Sequence, residues 1–364
     1  MMRVLWVTEH YPPSKGGMAE SCDRIVRGLR GAGVAVDVAH LTRRARPWRT
    51  EREHGGLLIT APLADDPEHA LRRLLTAVDG PYTHVAAFGG IYALLAGPVL
   101  ASLLSARLIT LLRGNDLDTG AFSVRRRPVL TDALRASARV CVVARSHIPL
   151  VRALAPDCAV TFVANSVDTA QWQVLPSERS QAAAWRSEHV ADGRRTLGLI
   201  GQLKSKKGVG FLLDALHASG HAARFHLVLV GELEESVLAR LDVPHTHLPF
   251  RERYDLPPVY AACDLVALPS FYDGMPNVAL EAAALGVPLL ASDAGGLADV
   301  ADDGIGFTFR AGDAHGCRAA LDRAARATDA ELAKLGAAAA ERVARDFAPA
   351  AETAGYQAVL TETL

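Results

Sequence analysis

Short apolar runs alternate with helically spaced stretches along almost the whole chain. The runs read as strands over residues 3–8, 34–40, 84–88, 108–112 and 140–144, and 160–163 closes the series. A period of about 3.6 residues between them predicts helices over 18–32, 67–79, 91–104, 129–136 and 146–154. From 165 to 195 the pattern lapses into Gln, Ser, Pro and charged residues with room for one helix, which reads as an interdomain connection. A second series follows, with strands over 196–200, 226–230, 265–268, 288–291 and 306–309 and helices over 208–218, 234–241 and 314–326. A long Ala-rich helix over 326–346 and an amphipathic segment from Pro349 to Leu364 finish the chain.

Strands apolar throughout, separated by helices, are the pattern of parallel sheets covered on both faces. The fold class expected is therefore α/β, with two doubly wound parallel-sheet, Rossmann-like domains. The domains expected are 1–170, 171–347 and a terminal helix over 348–364. Ligands of such sheets bind outside the carboxyl ends of the strands.

Composition narrows the class. A chain of 364 residues, half of them hydrophobic, supplies two ordinary cores. The longest apolar stretch, 91–104, is interrupted by Gly97-Pro98, so it reads as a buried helix and not a membrane span. The first residues enter a strand directly without the pattern of a signal peptide, and the five cysteines show no CxxC spacing. A reducing, cytoplasmic setting is expected, with neither a disulfide framework nor a zinc site.

The net charge of −1 conceals an asymmetry. Through Asn165 there are 21 Lys plus Arg against 14 Asp plus Glu, and the remainder is acidic. Much of the basic excess lies in 43–52 and in Arg125-Arg126-Arg127. These stretches are either solvated loops or a surface for an anionic acceptor or an anionic membrane. No nucleic-acid partner is expected.

The stretch from Ser270 to Glu281 carries the sharpest chemistry. An apolar run ends in Pro269, a loop containing Gly274-Met275-Pro276 follows, and Asn277 opens a helix through Val278 and Leu280. The first turn of a helix presents backbone N–H groups suited to phosphate. Asp273 precedes that helix and Glu281 lies one turn inside it, so two carboxylates straddle a glycine loop.

Asp273-Gly274-Met275-Pro276-Asn277, Glu281-Ala282, Gly286-Val287-Pro288-Leu289-Leu290-Ala291-Ser292 and Gly295-Gly296 together resemble the donor-site signature of the retaining, metal-independent nucleotide-sugar glycosyltransferases, glycosyltransferase family 4. The family usually has Glu where Asp273 stands. The resemblance implies the GT-B architecture, with two Rossmann-like domains facing across a cleft and the last helix returning to the N-terminal domain. It implies that Glu281 binds ribose hydroxyls, that Asp273 and the Gly-Met-Pro backbone orient the sugar, and that amides near Asn277 and Val278 meet the diphosphate. No cofactor or metal is implied beyond the nucleotide-sugar co-substrate. Similarity is densest from Thr196 to Phe309 and sparsest between Leu41 and Tyr82.

Three further loops follow strands. After the first comes Glu9-His10-Tyr11-Pro12-Pro13-Ser14-Lys15-Gly16-Gly17, whose glycines let backbone approach a ligand. It looks like the family's Pro-Pro-x-x-Gly-Gly loop, which implies that Gly16 and Gly17 lie against the donor phosphate and the acceptor pocket, with Lys15 on the acceptor side. The second runs Gly201-Gln202-Leu203-Lys204-Ser205-Lys206-Lys207-Gly208 and holds three of the chain's five lysines. Ammonium groups beside glycines suit a diphosphate. In the family, Arg and Lys of this loop pair with the diphosphate; Lys207 matches, whereas Gln202 stands in place of Arg. The third is Arg113-Gly114-Asn115-Asp116, where the family has a histidine in place of Arg113, and Asn115 and Asp116 fall on the acceptor side. Arg113 is expected either to pair with an anionic group of the donor, the diphosphate in compensation for Gln202 or a charged or unusual substituent at the sugar's far end, or to close its own loop on Asp116 or Asp118. Asp116-Leu117-Asp118 has no third ligand in view, so no metal site is expected. Val230-Gly231-Glu232 ends a strand where the family sets backbone near the base.

The function expected is transfer of a sugar from a UDP- or GDP-type nucleotide sugar to an acceptor in cell-envelope glycan or natural-product biosynthesis. Lys207, Asp273, Glu281 and Arg113 form the core of the site. The departures at Arg113 and Gln202 keep two alternatives in play: a nucleotide-sugar-binding partner without catalysis, or a GT-B enzyme of another kind, such as an epimerase or phosphorylase.

Overall fold

The structure, a computed structural model, describes residues 2–44, 47–63, 66–78 and 80–364. Residues 45 and 46 of the basic stretch, and Asp79 at the end of the second expected helix, lie outside the described residues. The chain divides into two compact units, one of Met1–Asn165 with Pro349–Leu364 and the other of Ser166–Ala348.

In the first unit the elements run β1 (Arg3–Thr8), α1 (Gly17–Gly31), β2 (Ala35–Thr42), β3 (Arg49–Glu53), β4 (Gly56–Pro62), α2 (Pro67–Ala77), β5 (His84–Phe88), α3 (Ile91–Leu103), β6 (Arg107–Leu112), α4 (Asn115–Asp118), α5 (Arg126–Ala136), β7 (Arg139–Val142), α6 (His147–Leu154) and β8 (Val160–Phe162). The second has α7 (Pro176–His189), β9 (Arg195–Ile200), α8 (Val209–Ser219), β10 (Phe225–Val230), α9 (Glu235–Leu238), β11 (His245–Leu248), α10 (Pro257–Ala261), β12 (Leu265–Leu268), α11 (Asn277–Ala284), β13 (Leu289–Ser292), α12 (Leu297–Val300), β14 (Gly306–Phe309), α13 (Ala314–Arg326) and α14 (Asp329–Asp346). The last helix, α15 (Pro349–Glu362), belongs to the first unit.

The first sheet has the order β3-β4-β2-β1-β5-β6-β7-β8, parallel except for β3, and the second the order β11-β10-β9-β12-β13-β14, parallel throughout. Each is doubly wound, so its strand order reverses at one point: between β1 and β5 in one unit and between β9 and β12 in the other.

Strand alternation supplies two cores to the first sheet. Val4 and Trp6 of β1 face Ile25 and Leu29 of α1 and Tyr356 and Leu360 of α15. Leu5 and Val7 face Leu41, Ile59, Leu74 and Leu100 on the other side. In the second unit Leu197 and Leu199 of β9 pack with Leu212 and Leu216 of α8 and Leu321 of α13. The docking of α15 is close: a Cβ at Gly28 would strike the Thr353 side chain, and Arg24 Nε pairs with Glu352 Oε2 at 2.7 Å.

The short elements α4, β11, α10 and α12 add to those expected, and three further stretches depart from the expectation. Residues 49–62 form the β3–β4 hairpin, with His54 and Gly55 at φ 44° and 85° in the turn, instead of a basic loop. The helix expected over 234–241 is reduced to the single turn α9. The long helix expected from 326 begins only at Asp329, because the Thr328–Glu331 capping box starts a new one.

Candidate functional site

Loops at the carboxyl ends of β9, β10 and β12 gather most of the expected donor residues of the second unit. Gly201 directly follows β9 and Gly231 directly follows β10, and the two backbones touch: a Cβ at Gly231 would collide with the Gly201 carbonyl. Leu203 N–H donates to Glu232 O at 2.9 Å, so Gln202 is carried on a loop tied to the neighbouring strand end. A single 3-10 turn, Ser205–Lys207, then reaches Gly208, which adopts φ 69° against the Pro269 carbonyl, where a side chain would not fit. Phe271 N–H donates to Lys206 O at 3.0 Å.

That crosslink brings Lys207 and Asp273 together as an ion pair, Nζ to Oδ2. Asp273 also accepts the Gly274 N–H at 3.1 Å and lies 3.4 Å from Ser270 Oγ. Gly295 and Gly296 pack on the Asp273–Gly274 backbone so closely that a Cβ on either would overlap a carbonyl there. Met275 is buried, and Pro276 precedes the first turn of α11, opened by Asn277 and Val278, with no side-chain cap.

Glu281 is not at a pocket rim, as its place in the motif suggests. It is 6% exposed, because α11 buries Ala279, Leu280, Ala282 and Ala283 as well and so has little solvent face. Its Oε2 accepts the Tyr260 hydroxyl at 3.0 Å, its Oε1 lies 3.4 Å from Arg253 Nε, and its carbonyl accepts Trp172 Nε1 at 2.9 Å. The Arg253 guanidinium stacks over the Trp172 ring at 5.1 Å. Burial, and then the Glu281 carboxylate, hold the Tyr260 phenol well above its ordinary range, so it stays protonated and donates. Tyr260, Arg253 and Trp172 carry no motif; only the fold gathers them.

In the first unit the expected residues follow β1 and β6. Lys15 and Gly16 precede α1, Gly16 at φ 107° stands as its cap, and Gly17 begins it. Asp116 accepts the Arg113 N–H at 2.9 Å to each oxygen and the Leu117 N–H at 3.0 Å. Burial raises the Asp116 carboxyl above its ordinary range, opposed by these amides. Asp118 lies 3.2 Å from His147 Nε2. Among the described residues no three His, Cys, Asp or Glu gather as a metal site would require.

Arg113 is buried, at 9% exposure. Its Nη1 donates to Tyr356 Oη at 3.0 Å, its Nη2 donates to Asn165 Oδ1, and its guanidinium lies 5.0 Å over the Phe88 ring. The loop closure on Asp116 is made by the Arg113 backbone and not by its side chain.

A cavity of about 360 Å³ opens at the same end of this sheet, between the loop after β1 and the first turns of α3 and α5. Glu9, His10, Ser14, Asn115, Asp116 and Arg126 are among its walls. Asn115 and Asp116 were legible as acceptor-side candidates; Glu9 and His10 open the glycine loop after β1, but the sequence assigned them no role of their own.

Residues 194–326 match the family model described as "Glycosyl transferases group 1". Over 201 residues the chain is 28% identical to the lipopolysaccharide core biosynthesis mannosyltransferase LpsB of Rhizobium meliloti, covering 52% of this chain and 56% of that protein. Over 182 residues it is 34% identical to the D-inositol 3-phosphate glycosyltransferase of Stackebrandtia nassauensis, covering 45% of this chain and 41% of that protein. The matches span about half the length of these curated relatives, or less. Among solved structures, Anabaena Alr3699/HepE in complex with UDP and glucose is similar at a TM-score of 0.81 and 18% identity, with 100% of each chain covered. The sucrose-phosphate synthase of Thermosynechococcus elongatus is similar at 0.82 and 17%, covering 100% of this chain and 99% of that one. What is shared at such identities is the fold, two parallel-sheet α/β units of the GT-B type.

Proposed function

We propose that this chain, a GT-B-fold protein carrying the group 1 glycosyltransferase sequence over residues 194–326, transfers a sugar from a nucleotide-diphosphate sugar to an acceptor. The observation that carries the reading is the Lys207–Asp273 pair, held between two glycine-built loops at the point where the second sheet reverses its strand order. That is where a doubly wound sheet binds its ligand, and a cation beside a carboxylate suits a donor with an anionic and a hydroxylated part. A relative named as a mannosyltransferase, and a structural neighbour described in complex with UDP and glucose, support a nucleotide-sugar donor of UDP or GDP type.

In this reading Lys207 and the amides of Asn277 and Val278 meet the diphosphate, and the backbones at Gly201, Gln202 and Gly231 lie beside the nucleoside. Glu281, held by Tyr260, meets the ribose hydroxyls, and Asp273 with Gly274, Met275 and Pro276 orients the sugar. The leaving diphosphate is stabilised by fixed charge and dipoles already in place. Lys207, with Lys204 or Lys206, stands in for a divalent ion, so the reaction needs neither metal nor cofactor. The acceptor attacks the face the diphosphate leaves, and configuration is retained. Five free thiols, four of them buried, fit a reducing cytoplasm.

The test is to follow UDP- and GDP-sugars by NMR in excess chelator. Donor consumption with a product of unchanged anomeric configuration is expected. A strict requirement for added magnesium or manganese, or an inverted product, would overturn those parts of the reading. A second reading, a nucleotide-sugar-binding partner without catalysis, is favoured by Gln202 and by the internal engagement of Arg113. Tight donor binding without hydrolysis or transfer would select it. Interconversion or phosphorolysis of the sugar would instead point to an epimerase- or phosphorylase-like GT-B enzyme.

A further inference from the structure

The cavity of the first unit is electrostatically unbalanced. Three guanidiniums line it: Arg43 and Arg44 immediately after β2, and Arg126 at the first residue of α5. Two carboxylates line it too, and both are already engaged. Glu9 Oε1 accepts the Tyr92 N–H at the start of α3 at 2.7 Å, and its Oε2 lies 3.5 Å from Arg43 Nη2. Asp116 is held by the amides of Arg113 and Leu117. Burial, and then Arg43, keep the His10 imidazole below its ordinary range, so it adds no positive charge near neutrality. Arg43 answers Glu9, which leaves Arg44 and Arg126. Both are exposed, and neither has an acidic partner among the described residues. Two uncommitted guanidinium forks lining one cavity suit the oxygens of a phosphate, which such forks bind bidentately.

We propose that this cavity takes a hydroxyl-bearing molecule with a phosphate-like anion, its anion paired with Arg44 and Arg126 and its hydroxyls set among Glu9, Ser14 and Asn115. That the molecule is the acceptor of transfer rests on the function proposed above; the preference for an anion rests on the cavity alone. The anion has two sources, a soluble sugar or polyol phosphate and a lipid head group. The second has support from Phe122 and Val124, which are 81% and 92% exposed just before Arg125-Arg126-Arg127. Apolar side chains beside arginines suit an anionic bilayer surface.

The test titrates the full chain with inorganic phosphate, with glucose 6-phosphate beside glucose, and with phosphatidylcholine vesicles with and without phosphatidylglycerol. Each anionic probe that binds is expected to bind about tenfold more tightly than its neutral partner, and less so in added salt. The Arg44→Ser/Arg126→Ser variant should lose that preference, while Arg44→Lys/Arg126→Lys keeps part of it. Preference for glucose 6-phosphate assigns the soluble source, and preference confined to vesicles assigns the head group. Equal binding of anionic and neutral probes, no binding of any anionic probe, or a preference that survives the serine substitutions would overturn the proposal. UDP and GDP binding is measured alongside. Its absence in the wild type would count against the transferase reading alone, whereas intact nucleotide binding without an anion preference would remove only this inference.

Discussion

Tyr260 Oη donates to Glu281 Oε2 at 3.0 Å from beneath α11, so the carboxylate nearest the centre of the donor motif is also part of the packing of its unit. Arg253 approaches the other oxygen and stacks on Trp172. Glu281→Ala leaves a buried hydroxyl and a guanidinium short of a partner, and should cost about 1–3 kcal/mol of stability. Glu281→Gln still accepts from Tyr260 and should cost less. Urea unfolding midpoints check this: an unchanged midpoint in Glu281→Ala would remove the structural role. Donor affinity is then read in the better-folded Glu281→Gln.

That buried, internally bonded position was invisible in the sequence for a specific reason. The spacing Asp273…Glu281 marks a strand–loop–helix site, but nothing in it says how much of α11 is covered. Helices with a polar outer face announce their orientation; α11 buries nearly every side, so Glu281 reads as a rim residue while lying inside. Arg253 and Tyr260 come from earlier turns with no recurring spacing to link them to Glu281. Most of the parallel strands, by contrast, were plain, because strands buried on both faces are apolar without interruption; β4 and β11, which are also parallel, were not among the runs read as strands. β3 reads Arg-Thr-Glu-Arg-Glu at an exposed sheet edge, and with no apolar face it left no such trace. The cavity of the first unit was half legible: its basic residues stood out as runs, but only the fold sets Arg44 and Arg126 against Glu9 and His10.

Arg113 donates to Tyr356 and Asn165 within the first unit, so its substitution should first loosen α15. Arg113→Ala leaves the 3%-exposed Tyr356 with an unpaired hydroxyl and should cost about 1–3 kcal/mol, with faster amide exchange along α15. Arg113→Lys, which has a charge but no fork, should fall between. Bare nucleoside diphosphate affinity should stay within about twofold. Weakened diphosphate binding at unchanged stability would restore the expectation that the guanidinium serves the donor.

His84 ties β5 to the end of the chain: Nδ1 lies 2.9 Å from Thr83 Oγ1 and Nε2 lies 3.2 Å from Thr363 Oγ1. Burial, and then Arg107, hold its folded pKa below the ordinary 6.5. As pH falls below 6.5 the unfolded chain takes up a proton before the folded one does. This contribution is therefore present above that pH and lost as pH falls through the folded pKa. Unfolding midpoints measured from neutral to mildly acidic pH should drop more steeply in the wild type than in His84→Asn. His10 and His226, also lowered by burial, leave the variant a residual slope. Identical slopes would show that His84 does not contribute.

Lys207 and Asp273 satisfy each other, so an anion that binds Lys207 has to draw it away from its carboxylate. Asp273 would remain held by the Gly274 amide and Ser270, which keep its backbone in place after the ammonium turns. The two side chains should therefore have opposite effects on a bare nucleoside diphosphate. Lys207→Met removes a charge-assisted bond worth about 1.5–3 kcal/mol, and affinity should fall at least about tenfold. Asp273→Asn removes the internal competitor, so the bare diphosphate should bind as tightly as to the wild type or more tightly. In the function proposed, Asp273 orients the sugar, so the complete donor should behave differently: in Asp273→Asn the gain in affinity from adding the sugar should disappear. Calorimetry with diphosphate and complete donor on the wild type, both single variants and the double variant closes the cycle. Equal weakening of both ligands by Asp273→Asn would mean that the carboxylate supports the loop as a whole, and that Lys207 is not held in competition.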